Sequence, residues 1–264
     1  MIDGGELVLH RFSRKNLVRV KDGMAVPKVL AFDVFGTVVD WRSGIARDVA
    51  PFLADLGRED IDPHVFADQW RGLYQPAMEE CRSGRRPYTR LDILNRETLE
   101  QLLLRHDIDP RAVDETRLHD LAFAWRRLDP WPDAVEGLTR LKAVFPIVTL
   151  SNANTALTLA MAKRAGLPWD AILGAEATGC YKPLPGSYLG TADLLGIAPG
   201  DLCLVAAHHS DLAAARAAGL RTAYVDRPRE YGGAPAPDAH FAQDWDYCAD
   251  SLIALADRFD AVAV

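Results

Sequence analysis

Residues 28–37 read KVLAFDVFGT: Val29, Leu30, Ala31 and Phe32 form an apolar run that delivers Asp33 into a turn holding Gly36 and Thr37. A buried strand that ends in a carboxylate and then a glycine presents a nucleophile at a sheet edge. No second carboxylate stands two residues after Asp33; that position is Phe35.

Working outward, four later segments repeat the pattern of a short apolar run followed by polar or turn residues. Residues 145–150 lead into Ser151 and Asn152, and residues 170–175 lead toward Lys182. Residues 202–206 lead into His208, His209, Ser210 and Asp211, and residues 221–225 lead into a Pro/Gly-rich loop at 227–237. Helical patterns lie among them, over 132–144, 155–165, 186–195 and 211–218. This alternation predicts an α/β fold, a Rossmann-like doubly wound parallel sheet covered on both faces. In such sheets ligands bind beyond the carboxyl ends of the strands, where all these polar groups fall. Residues 44–127 differ, with no convincing strand run and helical patterns at 45–56, 63–80, 89–106 and 114–127. They read as an inserted all-helical cap domain, with 27–43 and 128–264 as the core.

Composition narrows the function classes. A formal net charge of −7 argues against a nucleic-acid surface, which needs clustered Lys and Arg. No apolar run approaches the roughly 18 to 20 residues of a membrane span. The four cysteines show no CxxC spacing, so they read as thiols in a reducing, cytoplasmic setting rather than as a disulfide frame or zinc site. Residues 11–21 (RFSRKNLVRVK) are basic, and no apolar h-region follows, so a secretory signal is not expected. Residues 1–26 read as an N-terminal extension outside the fold, with a basic arm that packs on a partner as the alternative.

Each polar strand end has an ordinary structural reading. Asp33 can be a turn residue or helix cap, Ser151 and Asn152 can cap the helix near Thr155, Lys182 can be a solvated lysine, and Asp211 can be an N-cap. All four in this order, each after an expected parallel strand, are harder to dismiss. The set of Asp33 to Thr37 (DVFGT), Ser151–Asn152, Lys182–Pro183 and Asp211 with Ala217-Ala218-Gly219 resembles the haloacid dehalogenase superfamily, over roughly residues 27–255. Phosphatases of that superfamily usually carry DxDGT and a magnesium-binding GDSxxD. Here Phe35 and Ala207 replace the extra acids. Mg²⁺ wants oxygen ligands, and Asp33 and Asp211 beside Lys182 are a poor cage. A halide leaving group needs no general acid. The chain is similar to the type II (S)-2-haloacid dehalogenases, a resemblance that implies no metal and no cofactor. Trp70–Arg71 with Tyr74 resembles that family's cap motif, and residues 227–232 (RPREYG) resemble a loop of such proteins.

The resemblance implies roles. Asp33 would attack the halogen-bearing carbon and form an ester. Arg71 and Asn152 would stabilise the halide, and Ser151 would hold the substrate carboxylate. Thr37 and Tyr188 would also stand at the substrate, Tyr188 having an ordinary reading as a helix-face residue. Lys182 would keep Asp33 ionised. Asp211 would activate the hydrolytic water. Phe35 and cap aromatics would exclude bulk water. Studied members place a serine and an asparagine where this chain has Ala206 and His208. His208 then reads as a water ligand or shared base, or else as a structural histidine bonded to a loop carbonyl. The expected activity is hydrolysis of small-molecule (S)-2-haloacids to (R)-2-hydroxyacids, by a protein for which the family suggests a homodimer. The alternatives are a phosphatase with a degenerate metal site, and a catalytically weak binding protein. The latter would lack Asp33, Arg71 or Lys182, and all three are present.

Overall fold

The structure, a computed structural model, describes residues 19–20 and 26–262. Its strands are β1 (Arg19–Val20), β2 (Val29–Phe32), β3 (Val39–Asp40), β4 (Asp129–Pro130), β5 (Ile147–Ser151), β6 (Ala171–Gly174), β7 (Leu202–Ala206), β8 (Arg221–Val225) and β9 (Tyr247–Ala249). Seven of them form one sheet in the order β1-β9-β8-β7-β2-β5-β6. All neighbours are parallel except β1, which runs antiparallel to β9. Every residue of β2, β5 and β7 is buried, which is why they read as continuous apolar runs rather than alternating ones. The chain leaves β2 for β5 and β6 on one side and later builds β7, β8 and β9 on the other. The reversal of strand order opens a crevice at the carboxyl end of β2.

Four strands, β1, β3, β4 and β9, were not expected. Arg19 and Val20 pair with Cys248 and Tyr247, so part of the extension at 1–26 closes the sheet edge rather than standing outside the fold. Apart from those two residues and Val26, the extension lies outside the described residues. At three residues, β9 is too short to leave a pattern in the sequence.

The insertion after β3 is helical: α1 (Trp41–Asp55), α2 (Pro63–Arg82), α3 (Leu91–Arg105) and α4 (Glu115–Ala122), then a 3-10 turn at Phe123–Arg126. Helix α1 starts earlier than the apolar pattern predicts because Asp40 caps it, accepting the Ser43 N–H. Asp62 caps α2 in the same way, with Pro63 at the first helical position. The paired β3 and β4 bring both crossings between cap and core together. The cap is tied down by Asn154, which accepts the Asp92 N–H and donates Nδ2 to the Asp92 carboxylate. Tyr181 Oη donates to the Thr89 carbonyl, and Arg82 Nη1 donates to the Lys182 carbonyl. Core helices α5 (Ala134–Lys142), α6 (Thr155–Ala165), α7 (Ala175–Thr178), α8 (Pro185–Leu194), α9 (His209–Ala217) and α10 (Leu252–Val262) complete the described fold. Among the described residues no helix is long and apolar enough to cross a membrane.

The end of β6 approaches β5 so closely that a Cβ on Gly174 would lie 2.1 Å from the Ser151 carbonyl, at φ +147°. Backbone cannot yield there. Gly174→Ala is expected to destabilise the fold by about 1–3 kcal/mol or more. Gly57→Ala, also at positive φ but in open space, is expected to cost on the order of 1 kcal/mol. Urea midpoints for the two variants test this; equal costs would mean that the β5–β6 approach is not tight.

Candidate active site

Asp33 follows β2 directly, and its N–H donates to Val205 of β7, which fixes the carboxylate at the crevice. The turn then needs Gly36: its φ is +85°, and a Cβ there would lie 2.1 Å from Glu230 Oε1. Asp33 is 7% exposed, Lys182 6% and Asp211 9%, so three charged groups share one buried space. Lys182 Nζ donates to Asp33 Oδ1 at 2.8 Å and to Asp211 Oδ2 at 2.5 Å. Asp33 Oδ2 accepts from Thr37 Oγ1 at 2.7 Å and lies 3.1 Å from His208 Nδ1. Asp211 Oδ1 accepts from Tyr188 Oη at 2.6 Å. The Lys182 N–H donates to Asn152 Oδ1, so the residue after β5 positions the lysine. The ends of β2, β5 and β7 thus converge on one charge cluster, which Lys182 joins from beyond α7.

That cluster sets the protonation states. Burial pushes the Asp33 carboxyl up, but Lys182 and His208 outweigh it and hold the group well below the usual carboxylate range. Burial pushes Asp211 up; Lys182 opposes this and the Asp33 charge adds to it, leaving Asp211 raised. The ionised, weakly basic carboxylate is therefore Asp33, and the more basic one is Asp211. Burial depresses the Lys182 ammonium, yet its two carboxylates more than compensate. The same contest raises His208 well above the ordinary imidazole value, because Glu230 and Asp33 flank it.

A cluster of aromatic rings runs from Phe35, two residues after Asp33, into the cap. Phe35 packs edge-on against Tyr74 and Trp125, at centroid distances of 6.4 and 5.5 Å, and Trp125 continues to Trp41 and Trp70. The Arg71 guanidinium lies 4.1 Å from the Tyr74 ring centroid and 5.5 Å from that of Trp41. Its Nη1 is buried with no hydrogen-bond partner, as is Trp125 Nε1. Unsatisfied buried donors are costly and mark a place where an acceptor is expected.

Several expectations need correction. Thr37 and Tyr188 are fully buried, and their hydroxyls donate to Asp33 and Asp211. Ser151 Oγ accepts the Ala153 N–H, and the residue that caps α6 is Asn154, not the Ser151–Asn152 pair. Asp211 is no N-cap; that position is His208, and Asp211 sits in the first turn of α9. His208 is bonded neither to a loop carbonyl nor as a free base: its ring bridges Asp33 and Glu230. Glu230 was missed altogether. The RPREYG loop was the available signal, but nothing in it distinguishes a buried glutamate from a surface one. The ring of Trp125 was likewise not singled out.

The superfamily's magnesium does not fit these donors. Lys182 Nζ sits between the two carboxylates, and Ala207 supplies no oxygen side chain. Among the described residues no three His, Cys, Asp or Glu groups are arranged to hold a metal.

A family model for haloacid dehalogenase-like hydrolases matches residues 27–219, which include the whole cluster except Glu230. The chain belongs to the haloacid dehalogenase-like hydrolases. It is 47% identical to a defluorinating L-2-haloacid dehalogenase of known crystal structure, with a TM-score of 0.86 over 89% of this chain and 95% of that one. It is 31% identical to the (S)-2-haloacid dehalogenase of Xanthobacter autotrophicus over 76% of this chain and 75% of that one. It is also 34% identical to a phosphoglycolate phosphatase of Chromobacterium violaceum, over 73% of this chain and 82% of that one.

The raised His208 gives a signed expectation. Its stabilising contribution is fully present below the unfolded value of about 6.5 and is lost as pH rises through the higher folded value. Unfolding free energy should fall on the alkaline side, and His208→Asn should flatten that slope. A series of urea midpoints taken upward from about pH 6.5 checks it, since histidine is the group that titrates there; an unchanged slope in the variant would assign the loss elsewhere.

Proposed function

We propose that this protein hydrolyses short (S)-2-haloacids to (R)-2-hydroxyacids through an ester on Asp33, with inversion and without a metal. The observation that carries this reading is the Lys182 ammonium lodged between Asp33 and Asp211. It offsets one of the two carboxylate charges and fills the space between them where phosphoryl transfer would want a divalent cation. An Asp33 oxygen attacks the halogen-bearing carbon from the side opposite the halogen; the C–O bond forms as the C–halogen bond breaks. The departing halide is received by the unpartnered Arg71 Nη1 and by the Asn152 amide nitrogen, whose carbonyl is already spent on Lys182. Ser151 and neighbouring backbone N–H groups hold the substrate carboxylate. Phe35 and the cap rings keep bulk water from the nucleophile. Water then attacks the Asp33 carbonyl carbon, and Asp211, the more basic carboxyl, takes its proton.

In this reading residues 27–43 and 128–264 are the domain that does the chemistry, and residues 44–127 are the domain that closes over it. Four free thiols suit a cytoplasmic protein, and the family likeness suggests a homodimer. Likeness to a defluorinating relative places fluoroacetate among the substrates to test.

Halide release from fluoro-, chloro- and bromoacetate and from both 2-chloropropionate enantiomers, with and without EDTA, is the deciding assay. The (S)-enantiomer should react and EDTA should have no effect; metal-dependent turnover of phosphate esters instead would overturn the reading. Asp33→Asn should reduce halide release to background. Arg71→Ala should lower kcat/KM about 10²–10³-fold, the loss typical of one charge-stabilising donor, with a much smaller effect on Tm. Single-turnover hydrolysis in ¹⁸O-water should label Asp33 before the product.

A further inference from the structure

We infer that His208 and Glu230 serve the second half-reaction: Glu230 holds the His208 ring so that its Nδ1–H binds the oxyanion formed on Asp33 Oδ2 when water attacks the ester. This rests on the ester mechanism proposed above.

Glu230 is 2% exposed, and its Oε1 accepts from Trp41 Nε1 at 3.0 Å and from His208 Nε2 at 2.9 Å. The missing Cβ of Gly36 makes room for its carboxylate. Clamped at Nε2 by Glu230 and at Nδ1 by Asp33, the imidazole is held at both nitrogens. In the imidazolium form both N–H groups donate, one to each carboxylate. Two flanking anions favour that form, so the ring is a donor rather than a base.

The hydrogen bonds also distinguish the two oxygens of Asp33. A carboxylate oxygen has two lone-pair sites. Those of Oδ2 are both taken, by Thr37 and His208, and Thr37 is itself fixed by the Ala207 N–H at 2.9 Å. Oδ1 accepts from Lys182 and keeps a second site. Oδ1 is therefore the attacking atom, and Oδ2 becomes the carbonyl oxygen of the ester. When water adds to the carbon, a proton passes to Asp211 and the carbonyl π pair moves onto Oδ2. Two donors already stand there. Collapse re-forms the Oδ2 carbonyl and breaks the bond to Oδ1. That pair leaves on the hydroxyacid oxygen, which takes up the proton held by Asp211 through the Lys182 ammonium that touches both; Asp33 is left as the carboxylic acid and loses the second water proton to solvent, since Lys182 and His208 favour its ionised form. His208 keeps its proton throughout and is the catalytic residue of the pair. Glu230, acting through it, is a positioning residue.

The arrangement has opposite effects on the two steps. A cationic donor on the nucleophile weakens attack on the C–halogen bond but stabilises the later oxyanion. Rapid-quench kinetics with (S)-2-chloropropionate separates them. Glu230→Gln should retain a halide burst stoichiometric with enzyme, while steady-state turnover falls about 10²-fold, in the range of one lost oxyanion donor. Intact-mass analysis should find the alkylated enzyme accumulating. His208→Asn, a smaller change at the part-buried ring, should show the same split. Burst and turnover falling together in both variants without accumulated ester, or turnover unchanged in both, would overturn the inference. Absence of halide release from wild-type enzyme would instead overturn the proposed activity.

Discussion

The Lys182 ammonium between Asp33 and Asp211 is the contact on which the rest of the site depends. Each buried ion forfeits several kcal/mol of hydration, and removing one partner of such a set typically costs about 3–5 kcal/mol. Two carboxylates could not remain ionised side by side in this space without the cation. The fold meets the demand by bringing three strand ends to one point: β2 carries one acid, β7 leads to the other, and Asn152 after β5 grips the lysine backbone. The parallel order around β2 is what makes those ends neighbours.

Charge balance extends the same constraint outward. Asp33, Asp211 and Glu230 stand against Lys182, His208 and Arg71. An anionic substrate adds one negative charge, and the halide carries one away. Ala207 fits this balance, because an acid there would leave the cluster with an excess negative charge and invite a metal. His208 is likewise coupled to Glu230: its ring stands between that buried carboxylate and Asp33.

Much of the core was legible in the sequence because fully buried parallel strands leave continuous apolar runs, as at Val29–Phe32 and Leu202–Ala206. The strand-end residues were legible because topology makes them converge whatever the loop details. What stayed hidden was partner choice. Thr37 and Tyr188 carry hydroxyls that could face a ligand, and only packing shows them committed to Asp33 and Asp211. Glu230 lies in a Pro/Gly-rich loop with no periodicity, so its burial depends on Gly36 and Trp41, far away in the chain. Helix starts shifted where a cap such as Asp40 overrode the apolar pattern.

The joint between cap and core has a mechanical side. Tyr181 and Lys182 are adjacent in the chain; the first reaches the cap at Thr89, and the carbonyl of the second receives Arg82 from the end of α2. The same short stretch carries the ammonium that joins the two carboxylates. The segment that carries the ammonium is thus also the one that anchors this end of the cap. Cap position and buried charge therefore share one short stretch of backbone, and a substitution there bears on both.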